Sequence, residues 1–124
     1  FPLKKIKVFN YIINCSIKRE YLSNKYYSKN DNDFQIANKI INTSVKMIFL
    51  STRKVYKLDH NLTEKSKLQP KCNYSKNKLI TEKKLNEILK NRVLILRISN
   101  LVGVADMKKS KRKIHTTFIS SFFY

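Results

Sequence analysis

An α/β fold, in which a parallel sheet is flanked by helices, is what this sequence predicts. Three short apolar runs have the composition of strands, two amphipathic stretches between them have the periodicity of helices, and the two kinds of element alternate along the chain. Alternation of that kind closes most simply as β-α-β-α-β with right-handed crossovers.

The first apolar run is Tyr11-Ile12-Ile13-Asn14-Cys15, short enough for a buried strand. A helix is expected from about Asp33 to Thr43, where Phe34, Ala37, Ile40 and Ile41 fall at i, i+3, i+6 and i+7. The second strand is Val45-Lys46-Met47-Ile48-Phe49-Leu50-Ser51. From Arg53 to Asn73 no period is evident, and loops of that length inside a compact domain tend to be functional. A longer helix follows from about Tyr74 to Asn91, its stripe of Leu79, Leu85, Ile88 and Leu89 interrupted by one acid, Glu82. The third strand, Val93-Leu94-Ile95-Leu96-Arg97-Ile98-Ser99, is rich in β-branched residues. Continuously apolar strands suit a parallel sheet covered on both faces.

Composition narrows the function less than it first suggests. The chain has 124 residues and a formal net charge of +19, from 27 Lys and Arg against 8 Asp and Glu. Such an excess suits a polyanionic partner, but the lysines are spread over nearly every segment, as solvated surface is. The densest group, Lys108-Lys109-Ser110-Lys111-Arg112-Lys113, is expected to be a basic loop. Cys15, Cys72, His60 and His115 make no metal-ligand spacing. No leader pattern and no apolar stretch of about 18 residues is present, so a cytoplasmic location and no membrane partner are expected. Phe1 and the apolar run from Phe118 to Tyr124 do not look like finished termini. The chain is therefore expected to be an internal piece of a longer protein, with one domain over 1–103 and a second region, 104–124, holding the basic loop and the start of a further, substrate-binding region.

Ligands of open α/β sheets sit at the carboxyl ends of the strands. That rule singles out Asn14 to Ser16, Ser51 to Arg53, and Ser99 to Gly103. Next to the second of these, Tyr74-Ser75-Lys76-Asn77-Lys78 opens the long helix, and residues four apart share a helix face. A lysine there would lower the phenol's pKa and make the tyrosine a usable acid or base.

At these residues the sequence resembles the extended short-chain dehydrogenase/reductases, over most of 11–103. The resemblance is carried by an ordered set: Ser51-Thr52 with Val55-Tyr56 after it, Glu64, Pro70, Tyr74 with Lys78, and Leu96-Arg97-Ile98-Ser99-Asn100-Leu101-Val102-Gly103. It implies a partial Rossmann-like sheet and an NAD or NADP cofactor. It also implies a nucleotide-sugar substrate and, for the parent protein, a homodimer. Tyr74 would be the catalytic acid/base, and Lys78 would hold the nicotinamide ribose while lowering the Tyr74 pKa. Thr52 would orient the substrate oxygen, and Asn100 would contact the nucleotide-sugar. Asn14, Cys15, Ser16 and Ser51 would pass beside the cofactor. The run Ile12-Ile13-Asn14-Cys15 is closest to the sugar-nucleotide reductases.

Two departures qualify the resemblance. The family's glycine-rich turn, which lets a helix N-terminus approach the pyrophosphate, has no counterpart, because the single glycine is Gly103; the first strands are missing with it. Arg53 and Lys54 stand where dehydratases carry acids, which leaves epimerisation or reduction. The chain alone is expected to show little cofactor affinity and no turnover. Two alternatives stay open: a small basic nucleic-acid-binding protein, disfavoured by the diffuse charge, and a degenerate family member without catalysis.

Overall fold

A computed structural model of the chain describes residues 9–99. Strands β1 (Tyr11–Ile13), β2 (Lys46–Thr52) and β3 (Val93–Ile98) form one parallel sheet in the order β1-β2-β3. Helix α1 (Arg19–Ser23) and helix α2 (Asn32–Ile40) join β1 to β2, and helix α3 (Asn73–Leu89) joins β2 to β3. The architecture is thus α/β, and the expected strand and helix regions are all occupied as anticipated. The five-residue α1 went unforeseen, having too few residues to show a period.

Local chemistry sets the helix ends. Asp31 caps α2, its carboxylate accepting the Phe34 N–H at 3.0 Å. The far end of α2 is held by Arg92, whose guanidinium donates to the carbonyls of Ile40 (3.1 Å), Thr43 (2.6 Å), Val45 (3.1 Å) and Ile41 (2.7 Å). These carbonyls lie at the helix terminus and in the turn after it, where the regular helical ladder has run out. Cys72 stands at the N-cap of α3, where the Ser75 hydroxyl lies 3.3 Å from the Cys72 N–H and donates to its carbonyl at 3.0 Å. Helix α3 ends at Lys90, which takes a positive φ of 53°.

One face of the sheet carries the core. Met47 and Phe49 of β2 pack with Ala37 and Ile40 of α2 and with Leu85 and Leu89 of α3, and Ile12, Val93 and Ile95 border them. Ile41, expected on this stripe, is instead exposed, because α2 ends one residue earlier. The opposite face holds Tyr11, Ile13, Leu94 and Leu96, which are 58%, 53%, 55% and 40% exposed. Covering on both faces is therefore not what the described residues show. Each crossover steps to the next strand in the same direction, and with one handedness this lays α2 and α3 on the same side.

The stretch from Arg53 to Asn73 is not structureless. It opens with a single 3-10 turn, Arg53–Val55, and folds back on itself through the Tyr56–Leu68 bridge. Lys57 N–H donates to Lys67 O at 2.8 Å, and Gln69 N–H to Val55 O at 2.9 Å. Asn100, Gly103 and the whole 104–124 region lie outside the described residues.

Candidate active site

The three strands point their carboxyl ends the same way, so the residues after them are gathered at one edge. A cleft of about 350 Å³ opens there, and its lining includes Asn14, Cys15, Ser16, Ser51, Thr52, Tyr74 and Lys78. Every residue assigned a catalytic or cofactor role from the sequence within 9–99 is in that lining, whereas Arg53, which the strand-end rule also singled out, lines a neighbouring cleft. Asn100 lies outside the described residues.

The lip of the cleft is a turn built by Asn14 just after β1. Its Oδ1 accepts the Ser16 N–H at 3.0 Å and the Ser16 hydroxyl at 2.7 Å, and its Nδ2 donates to Ser16 O at 3.0 Å. Asparagine suits this place because its side chain can mimic a backbone turn. The first turn of α2 braces the lip: Asn14 Nδ2 donates to Asp33 Oδ1 and Asn32 Nδ2 to Ser16 Oγ, both at 3.0 Å.

Alternation along β2 separates the two hydroxyls at its end. Ser51 points toward the helices, where its Oγ donates to Glu82 Oε1 at 2.5 Å. Thr52, on the alternate side of the strand, lines the same cleft as Tyr74, and its Oγ1 accepts the Lys54 N–H at 3.3 Å. Burial pushes the Tyr74 phenol up from its ordinary value, with the Thr52 hydroxyl opposing the rise and the nearby Cys72 adding to it.

This corrects the expectation that Lys78 would lower the Tyr74 pKa. The Lys78 ammonium is committed elsewhere: it donates to Leu50 O at 2.8 Å and stands 3.8 Å from Asp33 Oδ2. It also lies 4.4 Å from the centroid of the Phe49 ring. Lys78 is only 5% exposed, although a lysine at such a position is usually solvated. Burial pushes its pKa down, and Asp33, then Asp31 and Glu82, push back.

Sequence reasoning missed the acids that make this burial tolerable. Glu82, 2% exposed, receives a fork from Arg97 of β3: Nε to Oε1 at 3.0 Å and Nη2 to Oε2 at 2.6 Å. Arg97 Nη1 also donates to the Tyr56 hydroxyl at 2.7 Å. The signal was available, since an acid on an apolar helix stripe and an arginine in an apolar strand are each costly to bury alone. Asp31, likewise buried, accepts from Thr81 at 2.6 Å and Tyr26 at 3.0 Å.

A larger cleft, about 750 Å³, lies between the loop after β2 and the outer edge of β3. It meets the first at Ile98 and Ser99. Its charged lining, Arg53, Asp59, Glu64, Glu82 and Arg97, differs from the hydroxyl-rich lining of the first. Among the described residues, no helix is long and apolar enough to cross a membrane, and no group of acids, cysteines and histidines could hold a metal ion. The chain matches no family model, and comparison with curated proteins and with solved structures likewise finds no match.

Proposed function

We propose that this chain carries the catalytic segment of an NAD(P)-dependent sugar-nucleotide epimerase or reductase, built on a partial Rossmann-like sheet. The observation that carries the proposal is the gathering of Thr52, Tyr74 and Lys78, drawn from two elements, with the Asn14–Ser16 lip around one cleft at the carboxyl edge. The consecutive order of three parallel strands, with both longer helices on one face, supports it further.

The residues fit one half of the cofactor. Lys78 lines the cleft and has one ammonium hydrogen beyond those directed to Leu50 O and Asp33, available to a ribose hydroxyl. The pyrophosphate is not provided for, because no position in these residues can form a glycine-rich turn. A nicotinamide bound in the cleft would supply the hydride chemistry. Tyr74 would give or take the proton of the reacting sugar hydroxyl, Thr52 would hold the same oxygen in line, and the Asn14–Ser16 lip would close one side. A neutral Tyr74 suits proton donation to a carbonyl oxygen, the reductive direction. The exposed free thiols of Cys15 and Cys72 fit a reducing, cytoplasmic compartment.

Nicotinamide mononucleotide tests the assignment directly, because it is the half of the cofactor for which the cleft has partners. Titrated into the isotope-labelled chain at millimolar concentration, it should shift the amide signals of Ser16, Thr52 and Tyr74, and Lys78→Met should abolish the shifts. Adenosine monophosphate should leave those signals in place. Perturbation by the adenylate alone, or by neither nucleotide, would overturn the assignment.

A further inference from the structure

Asp33 lies beneath the cleft and is the acid whose position the sequence gave least reason to notice. It sits in the first turn of α2, is 6% exposed, and joins three elements at one carboxylate. Its Oδ1 accepts from Asn14 at the end of β1, and its Oδ2 faces the Lys78 ammonium of α3.

The neighbours of Lys78 separate by what else they bind. Tyr21 of α1 and Phe49 of β2 offer ring faces, with centroids 5.7 and 4.4 Å from Nζ. Glu82, one turn along α3, is taken up by Arg97 and Ser51. Asp31 is taken up by Thr81, Tyr26 and the Phe34 N–H. Asp33 is the one acid among the described residues whose cationic partner is Lys78 itself.

We propose that Asp33 is a positioning residue of this site: it holds the Lys78 ammonium at the floor of the cleft and fixes it relative to the Asn14–Ser16 lip. The purpose of that positioning rests on the function proposed above, whereas the coupling is a property of the chain alone. Without the carboxylate, burial acts on Lys78 with less opposition, and a larger share of the amine is neutral and nucleophilic. Asparagine at 33 keeps an acceptor for Asn14, so the lip stays formed while the charge is lost.

The test is competitive acetylation of the full chain with acetic anhydride at about pH 8, with each lysine followed by mass spectrometry and exposed Lys76 as the internal reference. In Asp33→Asn, Lys78 should acetylate about tenfold faster relative to Lys76 than in the wild type. Asp33→Glu should return the ratio most of the way. A ratio within about twofold of wild type in Asp33→Asn would overturn the proposal, since the factor anticipated from losing an adjacent charge is larger. Should Asp33→Asn lose the near-ultraviolet dichroism of the folded chain, Lys78→Met supplies the second arm. There the Asp33 carboxyl carbon, followed by nuclear magnetic resonance, should titrate at higher pH than in the wild type, and an unchanged titration would overturn the proposal. No nucleotide enters either arm. Loss of the coupling with nicotinamide mononucleotide still bound removes the role of Asp33 alone, and the reverse result removes only the assigned function.

Discussion

Removing Arg97 is the sharpest perturbation this structure offers, because it leaves a buried carboxylate without its charge partner. Glu82 is 2% exposed, and apart from the Ser51 hydroxyl its hydrogen bonds come from Arg97, at 2.6 to 3.2 Å. Breaking a buried pair from one side costs about 3–5 kcal/mol, and here the lower end applies, because Arg97 is partly open and water can follow it out. Arg97→Met should therefore lower the unfolding free energy by about 3 kcal/mol, read from urea denaturation followed by far-ultraviolet circular dichroism. Adding Glu82→Leu removes the stranded charge and should restore about 2 kcal/mol, the Ser51 hydroxyl then lacking its acceptor at a cost of about 1 kcal/mol. A single substitution costing under about 1 kcal/mol, or a double variant less stable than Arg97→Met, would refute the picture of a desolvated carboxylate held by Arg97.

Three further outcomes are expected. Burial raises the phenols of Tyr21 and Tyr26 above their ordinary value of 10.0, so their contribution to stability is complete below that pH and is lost as pH rises past it, when the unfolded chain ionises first. The urea midpoint should fall between about pH 9 and about pH 11, and Tyr21→Phe should flatten that fall; an unaltered slope would count against burial as the cause. Hydrogen bonds from Ser75 pull the Cys72 thiol below its ordinary 9.0, and at about pH 7.5 Ser75→Ala should slow Cys72 alkylation by iodoacetamide several-fold, with Cys15 as the reference. Lys90 ends α3 at a φ of 53°, where a side chain is strained, so Lys90→Gly should stabilise the fold by about 1 kcal/mol in the same urea assay.

The fold was legible wherever one face of an element had to be buried. Met47 and Phe49 alternate with residues of the other face along β2, and Ala37 and Ile40 recur at helical spacing, so both patterns survive without tertiary information. The uncovered sheet face was not legible. Ile13, Leu94 and Leu96 are as apolar as the buried residues, and only the connectivity of the strands decides which side the helices take. At the site, the strand-end rule picked out Asn14 to Ser16, Ser51 and Thr52, and the four-residue spacing picked out Tyr74 and Lys78, but hydroxyl and ammonium directions followed from neither. Whether Lys78 faces Tyr74 or Asp33 depends on a carboxylate forty-five positions earlier in the sequence, and no local spacing encodes that pairing.

The proposed function divides a nicotinamide cofactor into a half for which the cleft has partners and a half for which it has none, and that division makes one more prediction. A dinucleotide normally gains affinity over a mononucleotide through pyrophosphate contacts at a helix N-terminus reached by glycines. In this sequence the one glycine, Gly103, comes after β3 in the chain order rather than between a first strand and its helix. The adenylate half of the dinucleotide should then add only nonspecific attraction to a chain of net charge +19, and that attraction is screened by salt. Measured by the same amide shifts at about 0.5 M salt, the dinucleotide and nicotinamide mononucleotide should bind within about threefold of each other. A dinucleotide more than about tenfold tighter, corresponding to about 1.4 kcal/mol, would mean that a phosphate-binding element exists among these residues that is not a glycine turn. The basic pair Arg53-Lys54, in the 3-10 turn directly after Thr52, would then be the first place to substitute.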